Sequence, residues 1–267
     1  MNRVARALAL HELVERTRDR WVVVVSVLFA ALASAVSAYG RSAGEGSAGA
    51  TLTGPSLVTL ASLFVPLVAL VLSHDAIVGE RERNTLGLLL SLPITRMETV
   101  FAKLVGRGAA LVLSVSVGLG AAMAFTSAGE RATLAALLGP TLLLGLAFLA
   151  IGLLISSVAS RQAVAASMVV VVWFSMVFFY DLGLLGILVV SDGTVSQDLI
   201  ANLVLGNPAG LYRVTMMEAF VGPEALTDLG LVAELPSRAM RGVIWAMWII
   251  GPPLVSGLIL LRKKVVR

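Results

Sequence analysis

Six long apolar runs govern what this chain can become. They fall at residues 21–39, 56–75, 108–127, 132–158, 163–190 and 242–261, separated by charged or polar stretches. A helical run of about 20 apolar residues matches the hydrocarbon thickness of a bilayer. The expectation is an all-α integral membrane protein of six transmembrane helices, forming a single membrane domain over residues 1–267. Of these residues 58% are hydrophobic and 13% charged, where soluble domains carry about 25% charge. Little chain is left for a soluble domain.

The basic residues are placed by topology. Of 20 lysines and arginines, fifteen fall on the side that holds both termini and five on the other. Short loops on the cytoplasmic side carry such an excess, so both termini are expected inside. This distribution also accounts for a sequence pI near 10.0 without invoking nucleic acid. Residues 1–20 read as an amphipathic helix in the interface, with Leu10, Leu13, Val14 and Thr17 on one face. Trp21 would anchor the first span at the boundary. Ala33-Ser34-Ala35 resembles a cleavage site, but the long charged lead favours an uncleaved span. Residues 40–55, rich in Gly, Ser and Ala, read as a loop, and Pro66 should kink the second span.

Residues 94–107 should be helical and run on into the third span. Gly106, Ala110, Ser114 and Gly118 recur every four residues there, a small stripe that would admit a close neighbour. Gly145 and Gly152 give the fourth span a second such line, and a turn is expected at Gly129-Glu130 before it. The fifth run has 28 residues, or about 42 Å as one helix, more than the hydrocarbon core needs. Asp181 is expected to end that span near residue 182, leaving residues 183–190 interfacial or re-entrant.

Residues 191–241 read as an extracytoplasmic segment of two amphipathic helices broken at Asn207-Pro208. Most connections have about four to six residues, and this one carries apolar side chains that need burial. Leu199, Leu203, Asn207, Pro208 and Tyr212 are therefore candidates for an external gate and a dock for a periplasmic partner, or for a passive cap over the spans.

Catalytic chemistry finds little support. The chain has no phosphate-binding Gly-x-x-x-x-Gly-Lys-Ser/Thr and no Gly-x-Ser-x-Gly. His11-Glu12 begins like a zinc-protease helix, but Glu15 stands where the second histidine would be. There are 2 histidines and no cysteine, which excludes thiolate sites and disulfides. Met216-Met217-Glu218 could bind a soft metal or fill gaps in a core. Asp75, beside His74 at a span end, is either a functional acid or a helix end in the interface. The reading is not an enzyme, with no cofactor and no metal in this chain.

The stretch from His74 to Arg107 lies between two spans. Glu80, Arg81, Glu82 and Arg83 alternate in sign and by themselves read as a solvated face. Asn84 or Thr85 would cap a short helix of leucines that Pro93 stops. Its polar end would face water and its leucines the membrane protein. This stretch resembles the ABC-2 family of transporter permeases. Asp75, Ile77, Glu80, Glu82, Thr85, Leu86, Pro93, Arg96 and Lys103 match the family pattern. Asn84 stands in place of the usual Gly and tolerates the same left-handed backbone, and Ala102 replaces a frequent Gly. Within the family the nearest likeness is to permeases that serve nitrous oxide reductase maturation.

The resemblance implies a permease subunit of an ATP-driven exporter in the cytoplasmic membrane of a bacterium or archaeon. It implies a pair of such chains, two cytoplasmic ATPase subunits that hold the ATP and magnesium, and a periplasmic accessory protein. Glu80, Glu82, Asn84, Thr85, Leu86, Pro93 and Arg96 would then form the coupling element to the ATPase. The implied role is assembly of a copper-sulfide centre. A general exporter of a drug, lipid or other small substrate, and a scaffold without transport, are the other readings.

Overall fold

The computed structural model describes residues 3–18, 20–42, 47–124, 128–192, 194–221 and 236–262. Every regular element among them is helical. In order these are α1 (Arg3–Thr17), α2 (Arg20–Ser42), α3 (Ser47–Ser73), α4 (Val78–Glu82), α5 (Leu86–Leu90), α6 (Arg96–Ala124) and α7 (Ala128–Val158). Then follow α8 (Gln162–Phe174), a π-helical turn (Ser175–Phe179), α9 (Tyr180–Val190), α10 (Gln197–Gly206), α11 (Pro208–Val221) and α12 (Arg238–Arg262). Among the described residues five helices are long and apolar enough to cross a membrane: Gly54–Glu82, Arg96–Ala124, Leu134–Val158, Gln162–Val190 and Arg238–Arg262. A shorter apolar stretch, Val27–Ala38, lies within α2.

The chain is arranged around α7, which touches α3, α6, α8, α11 and α12. Its spanning window is 72% buried, against 17% for α8–α9 and 28% for α12. Phe148, Leu149 and Leu153 of α7 are sealed inside. Lipid tails are as apolar as leucine, so the hydrophobic effect gives these helices no reason to associate, and close packing must do it. Small residues supply the closeness. Gly152 receives Ser73, and a side chain at Gly145 would come within 2.6 Å of Leu111. On α6, Gly106 lies under the backbone of Ala9, and Ala102 packs against Ala5 and Ala9. Ala110 is buried, Ser114 is half-buried and bonded to the Ala110 carbonyl, and Gly118 faces the ring of Phe29. The neighbours that this stripe admits are therefore α1 and α2 of the same chain.

Four expectations are corrected. The turn placed at Gly129-Glu130 is helical, since α7 begins at Ala128. Asp181 does not end the fifth span: the helix continues through the π turn to Val190, so residues 183–190 are not a separate re-entrant piece. The loop expected at residues 40–55 is instead helical to Ser42 and again from Ser47, where α3 begins. On α1, Leu10 and Val14 are 63% and 51% exposed, as an interfacial helix requires, and the opposite stripe, Ala5, Ala9, Glu12 and Arg16, is buried. Small and charged side chains face the protein there because only they fit a close crossing and pair with α6.

The fourth correction concerns residues 191–241. Asn207, between α10 and α11, bonds to Met176; Trp248 bonds to the Gly206 carbonyl; Tyr212 bonds to Thr141. Met176, Trp248 and Thr141 each sit near the middle of a long helix. Three independent markers thus place the α10–α11 tip at mid-depth of the bundle. α11 then returns outward to where Glu218 pairs with Arg241 at the start of α12, 2.6 Å away. The segment dips into the membrane domain as a hairpin rather than lying wholly outside it. Residues 222–235 of that segment, the Phe220 side chain, and Lys263, Lys264 and Arg267 lie outside what the structure describes, as do the Trp21 and Arg41 side chains.

The Gly118 crossing makes a clear test. A side chain there would come within 2.6 Å of Phe29, and overpacking costs about 1–3 kcal/mol. Gly118→Leu should lower the melting temperature of the detergent-solubilised protein by several degrees. Val117→Leu, at a position 58% exposed, should leave it near wild type.

Candidate functional site

At one end of the bundle six charged side chains meet out of water. Glu12 and Arg16 come from α1, one turn apart. Lys103 and Arg107 come from α6 with the same spacing. Asp75 follows α3, and Glu80 lies in α4. The Glu12 carboxylate accepts from Lys103 Nζ and, at 2.8 Å, from Arg107 Nε. Arg107 also donates to Asp75 at 2.6 Å and to the Leu72 carbonyl at 2.7 Å. Asp75 accepts in turn from Arg16 at 2.7 Å. Lys103 reaches Glu80 at 3.3 Å. The Lys103, Arg107 and Glu12 side chains are only 1–2% exposed. Three acids therefore balance three bases, which is the condition for keeping such charges buried.

Each α1 residue is placed by its neighbours on the helix. Ala5 and Ala9 let α1 lie against α6, and the next positions on that face are Glu12 and Arg16. Burial drives the Glu12 carboxyl toward its neutral form, but Arg107 and Lys103 together outweigh this and hold its pKa below the ordinary value.

The cluster extends to the coupling segment through Glu80. One oxygen of that carboxylate meets Lys103, and the other accepts from the Thr85 hydroxyl. Thr85 also donates to the Glu80 carbonyl at 3.2 Å. Asn84 makes the intervening turn with φ 58, the left-handed backbone that asparagine tolerates better than other residues with a side chain. Arg81 donates to the Ala159 carbonyl at 2.7 Å and closes the end of α7. Ser156 of α7 accepts from the Ile77 and Val78 amides at 2.9 and 3.1 Å, satisfying the free N–H groups of α4. Glu82 accepts from the Gln162 amide at 2.9 Å and caps α8. Arg96 donates to the Leu260 and Leu261 carbonyls at the end of α12. Thr95 and Glu98 form a reciprocal capping box that starts α6.

Several of the candidate coupling residues also bond within the chain. Glu80, Glu82, Thr85 and Arg96 are tied into the chain itself, and Leu86 is half-buried. Neither Asn84 nor Thr85 caps α5 through a side chain, because Thr85 is committed to Glu80. The α5 leucines do not turn into the membrane domain: no residue of α5 is buried, and Leu88 is 73% exposed. Glu82, Arg83, Asn84, Leu88, Ser91, Leu92 and Pro93 are among the residues this segment exposes.

At the mid-depth site Asn207, Pro208 and Tyr212 are buried and Leu203 is half-buried, whereas Leu199 is 52% exposed. Buried within the bundle, the first three have no surface to offer a separate protein. Met216 packs in the core while Met217 faces out, and no group of three or more metal-ligating side chains occurs among the described residues.

The sequence pattern of the ABC-2 family transporter proteins matches residues 6–264. The chain belongs to the ABC-2 transporter family. It is also 38% identical to the "Probable ABC transporter permease protein NosY" of Pseudomonas aeruginosa, over 92% of this chain and 93% of that one. A protein of the same name from Stutzerimonas stutzeri is 37% identical, over 97% of this chain and 98% of that one. This ABC-2 permease is the transmembrane component of an ABC transporter, integral to the bacterial inner membrane. The permease motif contributed Asp75, Glu80 and Lys103 to the cluster. Glu12, Arg16 and Arg107 were missed. Their signal was present: two i, i+4 pairs, acid then base on α1 and both basic on α6, with the α1 pair on the small-residue face.

The cluster predicts a specific fragility. Removing one member of a buried ion pair costs about 3–5 kcal/mol, so Arg107→Met should sharply reduce the folded fraction in detergent. Because the Glu12 pKa is depressed on folding, its contribution is complete above the ordinary value of 4.5. It is lost as pH falls through the lower, folded-state value. A Glu12→Gln permease, followed by thermal unfolding from pH 7 downward, should start less stable and lose part of the wild-type acid dependence.

Proposed function

We propose that this chain is the membrane subunit of an ATP-driven exporter serving maturation of the copper-sulfide centre of nitrous oxide reductase. In this reading it pairs with a second copy and two cytoplasmic ATPase subunits, with both termini in the cytoplasm and α2 as the sixth span. The name carried by its relatives and the resemblance of the His74–Arg107 stretch support that role. One observation carries the mechanism. α5 exposes Leu88, while the segment leading to it is stapled to α1, α6, α7 and α8.

Closure of the ATPase subunits would press on Leu88 and Leu92. Thr85 and Glu80 would pass the displacement to Lys103 and thence to α1 and α6. Arg81 and Glu82 would pass it to the α7–α8 turn. A contact of this kind does work only if it differs between the open and closed ATPase states. On the outer side, the α10–α11 hairpin closes the centre of the bundle as a gate, and the exposed start of α10 around Leu199 is left to meet a periplasmic protein.

Deletion of the chain in a host that makes nitrous oxide reductase tests both layers. The reductase should lose the optical signature of its copper-sulfide centre and regain it with the wild-type permease. Leu88→Glu should reach the membrane normally, fail to co-purify with the ATPase subunit, and fail to restore the signature. An intact centre in the deletion strain refutes the maturation role. Wild-type ATPase association by Leu88→Glu refutes the docking role.

A further inference from the structure

The fifth spanning helix carries one residue too many for a regular α-helix. At the π turn the Tyr180 amide reaches back to the Ser175 carbonyl, five residues away. In an α-helix that amide would bond to the Met176 carbonyl. Here the Met176 carbonyl accepts from Asn207 Nδ2 at 2.7 Å instead. Asn207 Oδ1 accepts from the Ala209 amide at 3.0 Å and caps α11. The orientation of this amide is fixed by its partners, since a carbonyl can only accept and an N–H can only donate. Asn207 is 2% exposed, so water does not compete for either bond.

Two further bonds fasten α9 just beyond the π turn. The Tyr180 hydroxyl donates to the Leu203 carbonyl at 2.6 Å, and Arg213 pairs with Asp181 at 2.5 Å. The hairpin therefore grips α9 at three points, and only Asn207 holds the carbonyl that competes for the Tyr180 amide. If that carbonyl recaptured Tyr180, the π turn would close into an unbroken α-helix of the same 29 residues. The segment beyond it would then turn by about 100°, one residue's share of a helical turn.

We propose that Asn207 is the positioning residue that holds α9 in its π register, and that its release, turning α9, is how the outer end of the permease changes shape during transport. The spanning window of α8–α9 is only 17% buried within the chain, so beyond the Tyr180 and Asp181 bonds to the hairpin, which must open with it, such a turn meets little resistance from the rest of the bundle. The proposal rests on the permease being driven by an ATPase partner. It does not depend on what is carried, so its failure and failure of the maturation role are separate results.

The chain has no cysteine, so spin labels can be placed cleanly at Leu185 on α9 and Val117 on α6, both exposed. Distances are read in the complex with its ATPase subunits in lipid nanodiscs, with labelled permease diluted by unlabelled. A turn of about 100° on a helix of about 5 Å radius moves a label by about 7 Å. Wild type should show one distance without nucleotide and a second when trapped with an ATP analogue. Asn207→Ser retains a capping oxygen but is too short to reach Met176, and it should populate the second distance without nucleotide. Thr141→Val, which removes the bond to Tyr212, should not. Deleting Phe178 removes the extra residue, so that variant should keep the resting distance with and without nucleotide, alone or combined with Asn207→Ser. The proposal is overturned if Asn207→Ser keeps the single resting distance, or if Thr141→Val shifts as far. If Asn207→Ser does not assemble, the Phe178 deletion decides: a nucleotide-driven shift that survives it overturns the proposal.

Discussion

Five buried charges and a half-buried sixth, Glu80, at one end of an apolar bundle must balance or the bundle does not form. Taking an ion out of water costs several kcal/mol, and only a well-placed partner offsets it. Here Glu12 bridges Lys103 to Arg107, and Asp75 bridges Arg107 to Arg16. The result is a joint between α1, α3 and α6 whose members cannot be exchanged one at a time. Charge provides what apolar packing cannot in lipid, a reason for particular helices to meet in a particular register. The same joint ends in Glu80, so the segment that exposes Leu88 is continuous with the core of the bundle.

The opposite end solves a related problem with backbone groups. A hairpin tip at mid-depth exposes carbonyls to a region without water, where each unpaired group is costly. Gly206 is satisfied by Trp248, Leu203 by Tyr180, and Met176 by Asn207. The first two donors come from α12 and α9, and the third from the hairpin itself. The tip is thereby keyed to α12, α9 and the π turn at once, and motion in any of them is felt by the others.

Five of the six apolar runs were legible as long membrane-compatible helices because such runs have few alternatives. The ABC-2 pattern was legible because a left-handed turn at Asn84 and its spaced charges leave a local trace. Gly106 and Gly118 could be read as close crossings, but not which helices would cross there. The i, i+4 pairs on α1 and α6 could have been read, but not which of them pair, because the partners lie far apart in the chain: Arg107 is 95 residues from Glu12 and 32 from Asp75. Local patterning assigned Glu80–Arg83 to water; Glu82 and Arg83 are exposed, but Glu80 and Arg81 are half-buried and held by Lys103 and the Ala159 carbonyl. The hairpin was hidden for the opposite reason. α10 is amphipathic enough to pass for a surface helix, and nothing local records that Asn207 has a partner in a π turn. An extra residue in a helix leaves no trace in composition either.

The central claim is that α1 and the segment before α5 are parts of one unit joined through Lys103. Hydrogen exchange of the intact permease in nanodiscs, comparing wild type with Lys103→Met, tests it most directly. The account predicts faster exchange in α1 and in residues 78–90 together, although some sixty residues separate them in the chain, with the α10–α11 hairpin unchanged. Protection that falls in only one of the two segments, or in neither, would contradict it.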